Sequence, residues 1–306
     1  MNAQLETFPT PKPTTHRIAI RTVLYATDFS APAQAAFLRA LGIARAYEAE
    51  LIIFHVLPPA PFDPQTGFLI TPEQLEKSAK EGLKHLGWNA GKVPHRLLLR
   101  SGEVWSALND VVKKEQVDLV VLGTHGRTGA ERLVLGSVAE EILRRAQCPV
   151  LTVGPGASLR EGAIKPGNWA RNILYATDFS PESFAAVPYA LSMAQENQAK
   201  LSLLYVVDRS DHEYNQDRTR VLAYLIEELR KLVPPDAELW CEPEYRIEFG
   251  SPAESILETS GQLNADLIVM GVRSPGEHLF AATHLPYSTV HKVIVGAQCP
   301  VLTVLG

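Results

Sequence analysis

Short apolar runs alternate along this chain with longer segments in which apolar residues recur every three or four positions. Residues 23–26, 51–56, 96–100, 119–123 and 150–153 are of the first kind, and several are rich in β-branched side chains. Continuous apolar character, without strict alternation, predicts parallel strands buried on both faces. Between the first two runs, Phe37, Ala40, Leu41, Ala44 and Tyr47 form the stripe of an amphipathic helix that Ser30 or Pro32 opens. Thr71-Pro72-Glu73-Gln74 has the spacing of a capping box with proline at the first helical position, so a second helix begins there. Val104, Leu108, Val111 and Val112 predict a third helix, and Val138, Ile142 and Leu143 a fourth. The order β-α-β-α-β-α-β-α-β implies an α/β fold, a doubly wound parallel sheet with helices on both faces.

The pattern then repeats. LYATDFS at 24–30 stands again at 174–180, DLVVLG at 118–123 is answered by DLIVMG at 266–271, and AQCPVLTV at 146–153 returns letter for letter at 297–304. Three collinear matches of this kind mean a tandem duplication with small insertions or deletions between the anchors. The second copy follows the same plan, from residue 173 through 201–207 and 245–249 to 301–304. The Gly- and Pro-rich stretch 154–170 separates the copies and reads as a linker, and Pro9, Pro11 and Pro13 mark a poorly ordered opening. The expected organisation is a flexible tail over 1–16, a first domain over 17–156, a linker over 157–170 and a second domain over 171–306.

Composition narrows the function classes. Of 306 residues, 46% are hydrophobic and 21% charged, as in a soluble globular protein. The formal charge of −5 lacks the basic excess of a nucleic-acid partner. No apolar run approaches the roughly 18 residues that span a bilayer, and the opening residues have no signal-peptide core. A cytoplasmic protein with no membrane association is therefore expected. Three cysteines without a C-x-x-C pair argue against a disulfide framework or a zinc ribbon.

Ligands of open α/β sheets bind beyond the carboxyl ends of the strands, where strand order reverses. Ala26, Thr27 and Asp28 follow the first predicted strand. The Asp28 carboxylate can accept from an adenine amino group or ribose hydroxyls, or with Ser30 it can simply shape the turn into the helix. Gly123, Thr124, His125, Gly126, Arg127 and Gly129 follow the fourth strand, and glycines there let successive N–H groups approach an anion. Gly136 and Ser137 open the next helix, whose free N–H groups and positive end favour phosphate. The Ser137 hydroxyl can cap that helix or bond the ligand. Arg127 can add a charge-assisted contact. His125 either meets phosphate or faces solvent. Neither G-x-x-x-x-G-K-[ST] nor G-x-G-x-x-G after a strand is present, which disfavours a P-loop NTPase or a dinucleotide dehydrogenase.

From about residue 17 to the end, the sequence resembles a tandem universal stress protein. The strand before Asp28, the DLVVLG strand and the final CPVLTV strand carry the resemblance, and the family's nucleotide motif G-x2-G-x9-G-[ST] is met by Gly123, Gly126, Gly136 and Ser137. The resemblance implies the Rossmann-like architecture shared with adenine nucleotide alpha hydrolases. It implies ATP as ligand, with Asp28 and Val56 at the base, and with Gly123 to Arg127 and Gly136, Ser137 and Val138 at ribose and phosphates. Mg2+ would arrive with the phosphates rather than in a protein cage. Family members commonly pair through the last strand, so residues 150–153 and 301–304 either pair within one chain or serve a homodimer.

The second copy departs from the motif. Gly271 is kept, but Ser274 stands in place of the second glycine, Pro275 lacks an N–H, and Tyr287 aligns with Gly136 and Ser288 with Ser137. Asp178 and Val206 remain. One competent nucleotide site, in the first copy, is the expectation.

Other candidates carry less. His278, His284 and His291 lack the i, i+4 spacing of helical metal ligands and read as solvent-facing, so no metal site is expected. Cys148 and Cys299 sit at matching positions before prolines and read as core residues, as do Trp105 and Trp240 as packing groups. No catalytic constellation is evident. The leading expectation is an ATP-binding stress-response protein that signals its nucleotide state to a protein partner, by ordering of the Gly-rich loop around phosphate. The alternatives are a chaperone-like interaction protein that binds no nucleotide, and a slow ATP hydrolase.

Overall fold

A computed structural model describes residues 18–57, 71–124, 135–157, 169–208, 218–235, 241–273 and 288–306. Contacts divide the chain into two compact units, with Ala19–Pro155 as one and Gly156–Gly306 in the other. The predicted tail and nearly all of the predicted linker lie outside the described residues.

The first unit runs β1 (Thr22–Ala26), α1 (Ala31–Ala46), β2 (Glu50–Leu57), α2 (Pro72–Ala90), β3 (His95–Ser101), α3 (Val104–Lys114), β4 (Leu119–Gly123), α4 (Ser137–Arg145) and β5 (Val150–Val153). Its strands are all parallel, in the order β3-β2-β1-β4-β5. The order reverses between β1 and β4, whose flanking connections leave on opposite sides. The second unit runs β6 (Asn172–Thr177), α5 (Pro181–Phe184), α6 (Val187–Asn197), β7 (Lys200–Val207), α7 (Arg218–Lys231), β8 (Glu244–Phe249), α8 (Pro252–Gln262), β9 (Leu267–Val272), α9 (Thr289–Gly296) and β10 (Val301–Leu305). Its strands are parallel in the order β8-β7-β6-β9-β10. Two doubly wound α/β units are the fold that the alternation of patterns implied.

The anchors shared by the copies do the same mechanical work in each. Asp118 Oδ2 accepts from the backbone N–H groups of Arg21 and Thr22 at 2.7 and 2.9 Å, and Asp266 Oδ2 accepts from Arg171 and Asn172 at 2.8 and 3.1 Å. Each aspartate pins the start of a central strand. The buried Tyr25 hydroxyl donates to the Ala33 carbonyl at 2.6 Å, and Tyr175 donates to Ser183 at 2.8 Å. Burial pushes both phenols above their ordinary range, so they remain neutral donors.

Two details depart from the sequence pattern. β3 is an edge strand with Arg96, Leu97 and Arg100 exposed, rather than a strand buried on both faces. The helix after β6 is broken into α5 and α6, because Pro188 in the first turn of α6 has no N–H to continue the ladder. Ser30 caps α1 through its side chain, with Pro32 in the first turn, and the capping box at Thr71 and Gln74 forms in both directions. Trp105 is 8% exposed, with the Arg145 guanidinium 5.0 Å from its ring, and so packs. Trp240 lies outside the described residues.

Gly123 and Gly271 each end a strand against the first turn of a helix. A Cβ on Gly123 would come within 3.0 Å of Ala33 N and 3.1 Å of Pro32 C, and one on Gly271 would overlap the Glu182 carbonyl and Ser183 Cα. Since backbone atoms cannot step aside as a flexible side chain can, Gly271→Ala should cost about 3 kcal/mol in chemical denaturation and Gly123→Ala about 1 kcal/mol, the range of overpacked cores. Equal costs would contradict this geometry. Burial also raises the Cys148 and Cys241 thiols to about 11. Their thiolate fraction is then small at pH 8 and grows only toward pH 11. Thiol labelling followed by peptide mapping should find both slow in native protein at pH 8 and fast after unfolding.

Candidate functional site

The turn that follows β1 is held by its own side chains. Phe29 N–H donates to Thr27 Oγ1 at 3.0 Å, Ser30 N–H donates to Asp28 Oδ1 at 3.0 Å, and Ser30 Oγ accepts from Ala33 N–H at 3.3 Å. Asp28 shapes the turn, as one of its two readings holds, and it also borders a cleft.

That cleft, of about 260 Å3, opens at the carboxyl ends of β1, β2 and β4 and the start of α4. Its volume lies just under the roughly 300 Å3 where small-molecule sites begin. β1 and its turn contribute Ala26, Thr27 and Asp28, and β2 contributes Phe54, His55 and Val56. Leu122, Gly123 and Thr124 come from the end of β4, and Gly136, Ser137 and Val138 from the start of α4. Phe54, Leu122 and Ile142 are nearly fully buried and give an apolar floor, suited to a flat base or ring.

The α4 end of the cleft is a donor site. Gly136 is the N-cap, with φ −62° and ψ 142°, and no side chain caps the helix. The first-turn N–H groups have no partner within the helix, and the helix dipole adds partial positive charge there. Gly136 N–H donates to the Thr124 carbonyl at 2.8 Å, which pins together the two ends of the loop between β4 and α4. Ser137 is the first helical residue and does not cap α4; its hydroxyl borders the cleft. Val138, assigned from the sequence both to the fourth helix and to the phosphate end of the site, is 42% exposed and lines the cleft. Ala139 and Ile142 hold the helix to the core.

All nine described residues of the sequence-predicted site therefore border one cleft: Ala26, Thr27, Asp28, Val56, Gly123, Thr124, Gly136, Ser137 and Val138. His125, Gly126 and Arg127 lie outside the described residues. Sequence reading missed His55. Its Nδ1–H donates to the Thr27 carbonyl at 2.6 Å, and its ring lies 4.5 Å from that of Phe29. A polar residue inside the run LIIFHVL was the signal available.

At the corresponding end of the second unit the chemistry changes. Ser288 is the N-cap of α9 and its Oγ accepts from His291 N–H at 3.1 Å, so the helix supplies its own cap. Glu182 stands where the first copy has Pro32, and its Oε1 lies 3.5 Å from Arg273 Nε. The start of α9 thus carries a side-chain cap that the start of α4 lacks. Asp178 Oδ1 accepts from both Ser180 N–H and Ser180 Oγ–H, at 3.0 and 2.5 Å. Ser274, Pro275, Tyr287, His278 and His284 lie outside the described residues. Among the described residues, no group of three or more His, Cys, Asp or Glu side chains is placed to hold a metal, and no helix is long and apolar enough to cross a membrane.

The comparisons with known proteins agree with this architecture. A universal stress protein of Methanocaldococcus jannaschii is 32% identical over 139 residues, which cover 44% of this chain and 81% of that protein. The crystal structure of a universal stress protein from Archaeoglobus fulgidus matches with a TM-score of 0.67 at 21% identity, over 93% of this chain and 98% of that one. A functionally unknown protein of Pseudomonas aeruginosa matches with a TM-score of 0.64 at 16% identity, over 94% of this chain and 93% of that one. At such identities the two structures speak for the fold alone. The sequence model of the universal stress protein family matches residues 19–154 and again 170–304, so the chain belongs to that family, as two tandem copies.

Proposed function

We propose that the first copy binds ATP and that the chain acts in a stress response through nucleotide-dependent contact with a protein partner. Asp28 and Val56 flank the adenine, whose faces meet the apolar floor of the cleft. Gly123, Thr124, His125, Gly126 and Arg127 attend ribose and phosphates together with Gly136, Ser137 and Val138. Any Mg2+ enters with the triphosphate. The loop between β4 and α4 carries the nucleotide state to the partner.

The observation that carries this reading is the uncapped start of α4 opening onto the same cleft as the ends of β1 and β2. An anion replaces the missing cap, and the apolar floor takes a ring system at a distance from it. In the second copy Ser288 caps the equivalent helix start and Ser274 and Tyr287 stand in place of two glycines of the motif, so ATP binds once per chain.

Calorimetric titration of the whole chain with ATP should give one site. Two equivalent sites would refute the asymmetry, and no binding would refute the reading and favour an interaction protein without nucleotide. Gly136 has a backbone conformation open to any residue. Gly136→Phe should therefore abolish ATP binding while the circular dichroism spectrum and Tm stay as in the native chain. Retained affinity would show that phosphate does not lie at the start of α4.

A further inference from the structure

We infer that Gly82, Phe29 and His55 form a clamp behind the cleft that positions the Asp28 turn for the adenosine end of the nucleotide; the inference rests on the ATP reading above. None of the three is among the residues assigned to the ligand, and neither Phe29 nor Gly82 borders the cleft. They act through Asp28 and Thr27, as positioning residues.

Phe29 has φ 63°, the left-handed region that side chains with a β-carbon disfavour. Such a conformation persists only where its surroundings fix it. Three contacts do so. Phe29 N–H is held by Thr27 Oγ1, its ring packs at 4.5 Å on the His55 ring, and its far edge lies on the backbone of Gly82 in α2. A Cβ on Gly82 would come within 2.8 Å of Phe29 Cε1 and 3.0 Å of Cζ, so the ring occupies the space that any other residue at 82 would fill. His55 completes the clamp through its Nδ1–H bond to the Thr27 carbonyl. The ring of Phe29 is thus wedged between β2 and α2, and the Thr27 carbonyl is tied to β2, directly behind the turn that carries Asp28.

Gly82 has no other evident reason to be glycine. It sits inside a helix, where glycine weakens the structure relative to alanine. The second copy supplies the control. Phe179 repeats the left-handed backbone at φ 58°, with its N–H on Thr177 Oγ1 and its ring 4.7 Å from Tyr205. The twist of the turn therefore belongs to the fold. Helix α7 of that copy contains no glycine, and tyrosine stands in place of His55. The glycine seat and the imidazole tether occur in the copy that keeps the phosphate-binding glycines.

The test compares ATP with inorganic triphosphate, which needs only the α4 end of the site, and reads both by calorimetry on the full chain. Gly82→Ala should weaken ATP binding about tenfold, the effect of one displaced hydrogen bond to a charged group, and leave triphosphate binding unchanged. Adding Phe29→Leu should restore most of the lost ATP affinity, because the shorter side chain makes room for the new methyl. His55→Phe keeps the ring contact and removes the donor to Thr27, so it should weaken ATP selectively as well, and it decides the matter should Gly82→Ala fail to fold. ATP affinity unchanged in Gly82→Ala and His55→Phe, or ATP and triphosphate lost in parallel, would overturn the clamp. A native chain that binds neither ligand overturns the ATP reading itself, and does so before any variant is made.

Discussion

In both units a helix begins close against the end of a neighbouring strand, and that strand ends without a side chain. Gly123 meets this condition under Ala33 and Pro32, and Gly271 meets it under Glu182 and Ser183. The rest of each unit follows from that approach. With the first turn of α1 lying over the end of β4, the connections after β1 and β4 leave the sheet on opposite sides, and a cleft opens between them. The turn after β1 must then reverse tightly to reach the helix, which explains the left-handed Phe29 and the side-chain bonds around it. The Tyr25 hydroxyl on the Ala33 carbonyl fastens the same helix start from below.

This constraint separates what the two copies had to keep from what they were free to change. Gly271 survives in the second copy although the rest of the glycine motif does not, and the reason is packing rather than phosphate. The N-terminal end of α9 closed on its own serine, and Glu182 at the start of α5 pairs with Arg273. Two units of one fold thus differ at equivalent helix starts: no side-chain cap in the first, a serine cap in the second.

Much of this was legible in the sequence because it depends on short-range rules. The capping box at Thr71, the cap at Ser30 and the aspartate at 118 each act within a few residues or through an anchor that the repeat made visible. Hydrophobic spacing placed Val138 on the fourth helix but cannot by itself tell a helix face turned to the core from one turned to a cleft. The edge position of β3 depends on topology, which the pattern of one strand does not contain, although Arg96 and Arg100 hinted at it. The roles of His55 and Gly82 were hidden for the same reason: their partners, Thr27 and Phe29, are distant in sequence and meet only when β2 and α2 close on the turn.

Asp28 shows how far such evidence reaches. Its retention in both copies, as Asp28 and Asp178, invites the reading that both bind a base. Yet in each copy one carboxylate oxygen accepts the N–H two residues on, and the turn would require that oxygen with or without a ligand. A repeated aspartate is therefore evidence for the turn, and the turn is common to both units. What distinguishes the first unit lies at the other end of the cleft, where Gly136 leaves the α4 donors uncapped, and behind it, where Gly82 admits the Phe29 ring. The proposed nucleotide site in one copy depends on the groups that the second copy replaced, and the proposed place of Asp28 at the base depends on them too.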